Sequence, residues 1–382
     1  MTIEIRKHAP GKQLKDFLHV PHLILGDDPN WVPPLNLMMA DTLTPKKNPF
    51  FLHADVALFT AYRNGKPVGR ISAQIDREYL KRYDDGTGFF GFFDTIDDEE
   101  VAKALVAAAE QWLLERGMQR MVGPMSFSVN EELGTLIDGF NSPNVIYMPH
   151  HRPYQDRIAL STGLVKAKDL FAFRWEMGAL PKRAQRAHEQ VKGYPEVRLR
   201  SIDFKRDIGQ LIQIQDDAWR HNWGHVSMTQ AEADKLVEDL GLLIDPQIAI
   251  VAEISGELAG MALAVPNLNE AIADLKGKLL PLGVLKLLWR LKVKRVKSGR
   301  LVLLGIKEKF RKQKRYGSLA MAIVAEIAER GRVAGYEWAE LSWTLEDNAP
   351  VNLLIRAAGG QHYKTYRLYE KPIGMADELS AE

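Results

Sequence analysis

Two similar lobes of mixed α/β structure, arranged in tandem, are the fold class that this sequence predicts. Three observations carry the prediction. A β-hairpin signature occurs twice, a helix–strand pair follows each copy in the same order, and the 382 residues exceed what one ordinary core organises.

Val56 to Tyr62 is an apolar, β-prone run. Asn64-Gly65 follows as a type I′ turn, and Pro67 to Ile75 reads as the returning strand, with Gly69 inside it. In the second half, Ile248 to Ile254, Ser255-Gly256 and Glu257 to Val265 repeat the pattern, with Gly260 at the matching place. Glu100 to Glu115 then reads as an amphipathic helix ended by Arg116-Gly117. Its counterpart, Ser318 to Glu329, is ended by Arg330-Gly331. Strands follow at Met121 to Phe127 and at Trp338 to Trp343. Each half closes with a short helix, a glycine and a last strand: Ala159 to Thr162, Gly163 and Leu170 to Trp175; then Val351 to Ala358, Gly359-Gly360 and Tyr366 to Tyr369.

This order predicts mixed sheets flanked by helices. The expected division is an N-terminal lobe over 1–180, a helical connector over 181–196, a C-terminal lobe over 197–374 with an inserted segment at 266–300, and a tail at 375–382.

Composition narrows the function classes. Hydrophobic residues make up 46% and charged residues 26%, which are globular values. The formal net charge of +2 is too balanced to argue for a nucleic-acid partner. With no cysteine, thiolate nucleophiles, disulfides and Cys-ligated metals are excluded. No His/Asp/Glu cluster has metal-ligand spacing, so no metal is expected. The N-terminus has no apolar signal core, and no run of about 18 apolar residues occurs. A cytoplasmic protein is the expectation, with peripheral attachment to the inner face of the membrane as its extension.

That extension rests on the insert. In Val284-Leu285-Lys286-Leu287-Leu288-Trp289-Arg290-Leu291, the residues Val284, Leu287, Leu288 and Leu291 share a helical face, and Lys286, Arg290, Lys294 and Lys297 form a basic stripe. Such a segment, over 279–297, suits an anionic membrane surface or the cover of a lobe.

The strand Leu301 to Ile306 runs into Lys307-Glu308-Lys309-Phe310-Arg311-Lys312-Gln313-Lys314-Arg315-Tyr316-Gly317-Ser318 and then a helix. Backbone N–H groups at a helix start, with basic side chains, form an anion site. The loop resembles the coenzyme A turn of the GNAT acyltransferases, whose pattern is Gln/Arg-x-x-Gly-x-Gly/Ala. Arg311 fills the first position, with Lys314 and Tyr316 where small residues are usual. A shift of one residue puts Arg315 in the first-glycine place and Gly317 last.

Glu340 to Asn348, with Gly359-Gly360 and Tyr366 to Lys371, resembles the strand–helix–strand that ends that fold. The resemblance implies an acyl thioester lying in a splay between Leu301–Ile306 and Trp338–Trp343. It assigns coenzyme A contacts to Leu304, Gly305, Ile306, Arg311, Lys312, Lys314, Arg315, Gly317, Ser318 and Asn348. The tyrosine acid usual after the asparagine is replaced here by Ile355 and Arg356, which leaves Tyr363, Tyr366 or Tyr369 for that role.

In the N-terminal half the matching loop, Phe93 to Glu100, is acidic and lacks glycine. Asp97 to Glu100 suit a helix N-terminus and would repel a pyrophosphate. The segment Gly123 to Gly134 gathers polar residues at a strand's C-terminal end, where α/β sites form. Ser128, Asn130 and Glu132 either bind a polar head or stabilise a turn locally.

With Met148-Pro149-His150 and Asp169-Leu170, this segment resembles a group of tandem-GNAT proteins that includes the bacterial ceramide synthases. The resemblance covers most of the chain. It implies an acyl-CoA-dependent N-acyltransferase acting on a lipid or long-chain amine such as a sphingoid base. Glu340 is the first candidate base, with Glu346, Asp347, His225 and His362 as alternatives. Tyr366 joins the catalytic set. Asn222 and Trp223 are candidates to line the acceptor's entrance, and Trp223, like Trp219, equally suits a core. An aminoacyl-tRNA-dependent transferase and a non-catalytic acyl-CoA sensor are the competing readings.

Overall fold

The computed structural model describes residues 2–241, 244–279, 281 and 283–374. The expected tail at 375–382 lies outside them. The chain forms two compact units. The first takes the chain up to Leu170, Ala273–Leu279 and the chain from Lys364; the second takes Phe171–Ile272 and the stretch ending at Tyr363.

In the first unit, β1 (Ile3–His8) precedes α1 (Lys15–Leu25), and β2 (Ala54–Arg63) and β3 (Lys66–Asp76) form the first hairpin. Asn64 and Gly65 both have positive φ, at 53° and 75°, as the type I′ turn requires. Next come β4 (Thr87–Thr95), α2 (Glu99–Leu114) and β5 (Arg120–Gly123). The chain then makes a small ribbon of β6 (Met125–Ser126) and β7 (Glu132–Leu133), then β8 (Thr135–Asp138), α3 (Gln155–Ser161) and β9 (Val165–Glu176).

Asp98 caps α2, its side chain accepting the Glu100 and Val101 N–H groups, so the acidic loop serves the helix as its composition suggests. The apolar face of α2 (Val101, Leu105, Ala109, Leu113) packs with Phe90, Phe93 and Ile71 of the sheet.

The second unit begins with the end of β9 and α4 (Lys182–Lys192). β10 (Val197–Ser201), α5 (Phe204–Trp219) and α6 (Gln230–Leu240) follow, then the second hairpin, β11 (Ala249–Ile254) and β12 (Glu257–Pro266). The insert carries α7 (Gly283–Trp289). β13 (Ser298–Ile306), α8 (Leu319–Ala334), β14 (Trp338–Leu345), α9 (Ala349–Ala357) and β15 (Gln361–Pro372) complete the chain. Helix α8 runs a turn further than its Arg330-Gly331 pair suggests. Gly331 is interior, where a Cβ would meet Met177 Sδ at 2.8 Å, and Gly335 with φ 96° ends the helix instead.

Strand order in the first unit is β1-β2-β3-β4-β5-β15, with β8 also on β15; in the second it is β9-β14-β13-β12-β11-β10. The closing strands are therefore exchanged along the chain. β15 pairs antiparallel with β5, Tyr369 opposite Gly123, while β9 lies beside β14. A repeat in sequence supplies each half with a last strand but says nothing about which sheet accepts it.

Each unit contains a parallel pair, β4/β5 in the first and β13/β14 in the second, and these pairs set the candidate sites. Gly91 of β4 lies under the backbone leaving β5: a Cβ there would sit 1.8 Å from Met125 O. Gly91→Ala is expected to destabilise the first unit by about 3 kcal/mol or more, as overpacking against backbone does. A guanidinium denaturation midpoint checks this.

Candidate functional site

In the second unit, parallel pairing runs from Ser298 opposite Trp338 to Leu301 opposite Leu341 and then stops. Both strands continue, to Ile306 and Leu345. A register shift on the other edge of β13, between Leu263 and Ala264 of β12, leaves Val302 as the extra residue at the same level, and such a bulge bends its strand. The C-terminal halves thus diverge, and the edge of Leu304, Gly305 and Ile306 that faces β14 is released from pairing. The opposite edge stays on β12, with Met261 opposite Gly305. Trp219 Nε1 donates to Leu304 O at 3.2 Å, tying the end of α5 to the open strand. Asn222 and Trp223 lie in the turn just beyond.

Glu340 is fully buried on β14. Ser342 Oγ donates to its Oε1, and Tyr363 Oη to its Oε2. Arg300 Nε donates to Ser342 Oγ at 3.0 Å and lies 3.8 Å from Glu340 Oε1. A buried carboxylate is tolerated when charge and hydrogen bonds answer it, and this one has a guanidinium and two hydroxyls. The result is a carboxylate set in a buried hydrogen-bonded chain.

Tyr363, one of three candidate tyrosines, is the one that joins this chain. Tyr366 is fully buried in the first unit, opposite Leu136 of β8. Tyr369 donates to Asp156 Oδ1 at 2.6 Å, and burial pushes its hydroxyl far up, away from acid chemistry near neutrality. Glu346 is half-buried, and its carbonyl accepts the Asn352 amide. His225 Nε2 pairs with Asp216 at 3.3 Å, and the His362 ring packs edge-on to Phe171.

The basic loop becomes a helical turn (Glu308–Arg311), a 3₁₀ turn (Lys314–Tyr316) and then α8. Several of its cations have acidic partners: Lys312 Nζ with Glu308 at 2.6 Å, Arg315 Nε with Glu196 at 2.6 Å, Lys307 and Lys309 with Glu257. Arg311 reaches Ala218 O at 3.5 Å, and Lys314 is exposed. Gly317 has φ −59°, and a Cβ there would meet only Lys314 O at an ordinary 3.4 Å, so its backbone does not demand glycine. No side chain caps α8, and Ser318 Oγ turns to Gln190. The first turn of α8 therefore offers N–H groups without an internal cap. Asn348 caps α9 by accepting the Val351 N–H at 3.4 Å, which is a structural role.

In the first unit, pairing of β4 with β5 ends at Phe89 opposite Val122. There the gap is filled. Pro124 to Phe127 crosses it, held by Gln74 Nε2 donating to Met125 O at 2.7 Å and Phe127 O at 3.1 Å. Below this crossing lies a cavity of about 80 Å³, whose walls include Phe92, Asp94, Arg70, Glu132, His150 and His151. Of the three polar residues picked out from Gly123 to Gly134, Glu132 reaches the cavity wall. Ser128 Oγ accepts the Asn130 N–H at 3.2 Å, the local turn bond, and Asn130 is exposed. Arg70 and Asp94 form a buried ion pair at 2.7 Å. Sequence reasoning did not select Arg70, Asp28 or His150 as functional, because Asp28 and His150 lie 122 residues apart along the chain.

The histidines of this wall are held neutral. Burial drives His151 down to about 4, the nearby Asp94 opposing only in part, and burial also lowers His150 and His22. For His151 the unfolded value is 6.5. Above pH 6.5 both states are neutral and its contribution to stability is complete. As pH falls from 6.5 to about 4, the unfolded chain takes a proton that the folded chain refuses, and stability declines. A loss of roughly 3 kcal/mol over this window is expected. His151→Asn, which keeps an acceptor for the Leu136 N–H that Nδ1 now accepts at 3.0 Å, should make the decline shallower in melts taken across that range.

One grouping among the described residues has donors close enough to share an ion: His188, Glu326 and Glu329. Arg330 Nε lies 2.6 Å from Glu326 and Lys192 Nζ 3.5 Å, so its carboxylates are already answered by cations.

A protein of Caulobacter vibrioides named bacterial ceramide synthase is 44% identical over 368 residues, covering 94% of this chain and 95% of that protein. This chain belongs to the bacterial ceramide synthase family. A second relative, the protein YghO of Escherichia coli, is 36% identical over 375 residues, covering 97% of this chain and 95% of that protein. No family profile matches the chain. Among solved structures, a tandem GNAT protein from the clavulanic acid biosynthesis pathway covers 98% of this chain and 100% of its own, with TM-score 0.59 at 12% identity. A GCN5-related N-acetyltransferase from Sphaerobacter thermophilus covers 100% and 98%, with TM-score 0.54 at 14% identity. The family member described here thus has the tandem GNAT fold that its repeats imply and is an N-acyltransferase.

Proposed function

We propose that this N-acyltransferase takes its acyl group from acyl-CoA and delivers it to a lipid or long-chain amine. The observation that carries the reading is the divergence of β13 and β14 after Leu301 and Leu341, beside a buried carboxylate with a hydroxyl relay. In this reading the pantetheine lies along the released edge of Leu304, Gly305 and Ile306, whose backbone hydrogen-bonds it and polarises the thioester carbonyl. The pyrophosphate takes the uncapped start of α8, between Arg311 and Ser318. Lys312 and Arg315 would exchange their carboxylate partners for phosphate oxygens.

The neutral amine attacks the thioester carbon. The C–N bond forms, the C–S bond breaks, and coenzyme A leaves as the thiol. The amine's surplus proton passes to Glu340, directly or through Tyr363, and is returned to solvent or to the leaving sulfur.

A long-chain acceptor is supported by the name of the Caulobacter relative and by the insert. Val284, Leu285, Leu288, Trp289 and Val293 are exposed by 39–67% on α7 and the turn after it, an apolar patch suited to a membrane interface. No described helix is long and apolar enough to cross a membrane.

Thiol release tests the donor. The chain has no cysteine, so it adds no background to a thiol-reactive dye. Palmitoyl-CoA should release thiol with the protein when a long-chain amine is added. Release independent of the amine, or none, would count against the reading.

A further inference from the structure

The near-neutral balance of the chain hides an uneven distribution of charge. Residues 275–300 hold nine lysines and arginines and no acid, so the rest of the chain holds 42 of the 51 cations against all 49 anions. Within this run, α7 and the turn after it (Arg290–Lys294) are tied to the second unit. Arg290 Nη1 donates to Ala271 O at 2.7 Å, Val296 is buried, and Lys297 Nζ pairs with Glu337 at 2.9 Å. Leu287 and Leu291, four residues apart, are half-buried and supply the cover that one apolar face can give.

A second apolar face remains. Leu285, Leu288 and Trp289 are spaced i, i+3, i+4 and lie side by side on the helix. All three are at least half exposed, as is Val293 beyond them. Lys286, Lys294 and Arg295 stand exposed between and after these residues. A contiguous apolar patch rimmed by charge marks a surface made for an occupant.

The two parts of the patch select that occupant. A phosphate backbone would answer the cations but leave Leu285, Leu288 and Trp289 in water. A second copy of the same surface would set cation against cation. A bilayer with anionic headgroups answers both. Leucine and tryptophan enter the boundary between headgroups and acyl chains, while lysine and arginine stay at the phosphates. With seven residues, α7 is about 10 Å long and lies in the plane of such a surface rather than across it.

We infer that α7 and the turn after it dock the second unit on an anionic lipid surface, with Leu285, Leu288, Trp289 and Val293 inserted and Lys286, Lys294 and Arg295 at the headgroups. This docking is separate from the choice of donor and amine, and it is read without turnover.

Sedimentation of the full chain with phosphatidylcholine vesicles, with and without phosphatidylglycerol, tests it. The wild type should bind the vesicles that contain phosphatidylglycerol about tenfold or more tighter, the scale of a few basic side chains at an anionic surface. Most of that preference should vanish when salt is raised from about 0.1 M to about 1 M. Leu285→Gln/Trp289→Gln should weaken binding to these vesicles by about tenfold or more. Lys286→Gln/Lys294→Gln should lower the preference by about fivefold or more. All four side chains are exposed, and unchanged denaturant midpoints would show that the fold is kept. Binding to neither kind of vesicle, equal binding to both, or undiminished binding by folded Leu285→Gln/Trp289→Gln overturns the inference. So does transfer RNA binding that survives Leu285→Gln/Trp289→Gln while no vesicle is bound, which would give the patch to a nucleic acid. Vesicle binding by a protein that acylates no amine leaves this inference standing and sinks the proposed function. Acyl transfer by a protein that binds no vesicle does the reverse.

Discussion

Glu340→Gln is expected to lower the rate of acyl transfer by about 10²-fold or more, within the range that a positioned proton acceptor contributes, with little change in the affinity for acyl-CoA. The substitution keeps the shape and both hydrogen-bonding positions but removes the basic oxygen. Ser342 and Tyr363 both donate to this carboxylate in the native protein. An amide in its place offers one acceptor and one donor, so one hydroxyl must turn. Steady-state kinetics with a long-chain amine separates the two parameters. A fall in kcat with KM unchanged marks loss of a proton acceptor. Full activity in Glu340→Gln removes Glu340 from the chemistry and leaves it as a structural partner of Arg300. Glu340→Ala is the less informative variant: it removes the carboxylate beside Arg300, whose side chain is only 6% exposed, so loss of packing and loss of chemistry would coincide.

Arg70→Met is expected to cost the first unit about 3–5 kcal/mol, because it leaves a buried charge unpaired. Its Nε donates to Asp94 at 2.7 Å, its Nη1 to Phe17 O at 3.2 Å, and the guanidinium lies over the rings of Phe17 and Phe92. Methionine fills the volume but leaves Asp94 in the wall of the cavity without its cation. The double variant Arg70→Met/Asp94→Leu should recover most of the loss, because no charge is then left behind. Denaturant midpoints of the two single variants and the double variant decide this. A double variant no more stable than the singles would mean that packing over Phe17 and Phe92, rather than charge, carries the effect.

The repeat was legible because its signals are local. Asn64-Gly65 and Ser255-Gly256 are turn chemistry, and the helix that starts at Glu99 announces itself by its acidic cap. The splay in the second unit was also within reach, since the resemblance placed it on the two strands that do diverge. What the chain order hid is non-local. The exchange of closing strands depends on which sheet edge is open when β9 and β15 form. The cavity draws on α1, β3, β4, β7 and the stretch at His150, and no spacing rule links them. The basic loop reads as an anion site from its own residues, whereas most of the ion pairs around it are non-local: Glu196, Glu257 and the loop's own Glu308 answer four of its cations. The resemblance reads Asn348 as a coenzyme A contact, and the structure shows its side chain capping α9.

Mass spectrometry of the products tests the central claim most directly. The protein would be mixed with a long-chain amine and offered palmitoyl-CoA in one reaction and charged transfer RNA in another. Acyl-CoA-dependent N-acylation predicts the palmitoyl amide and free coenzyme A in equal amounts in the first, and no amide in the second. Palmitoyl-CoA recovered intact from the protein, with no new amide, would contradict it, as would an amide formed only with the charged transfer RNA.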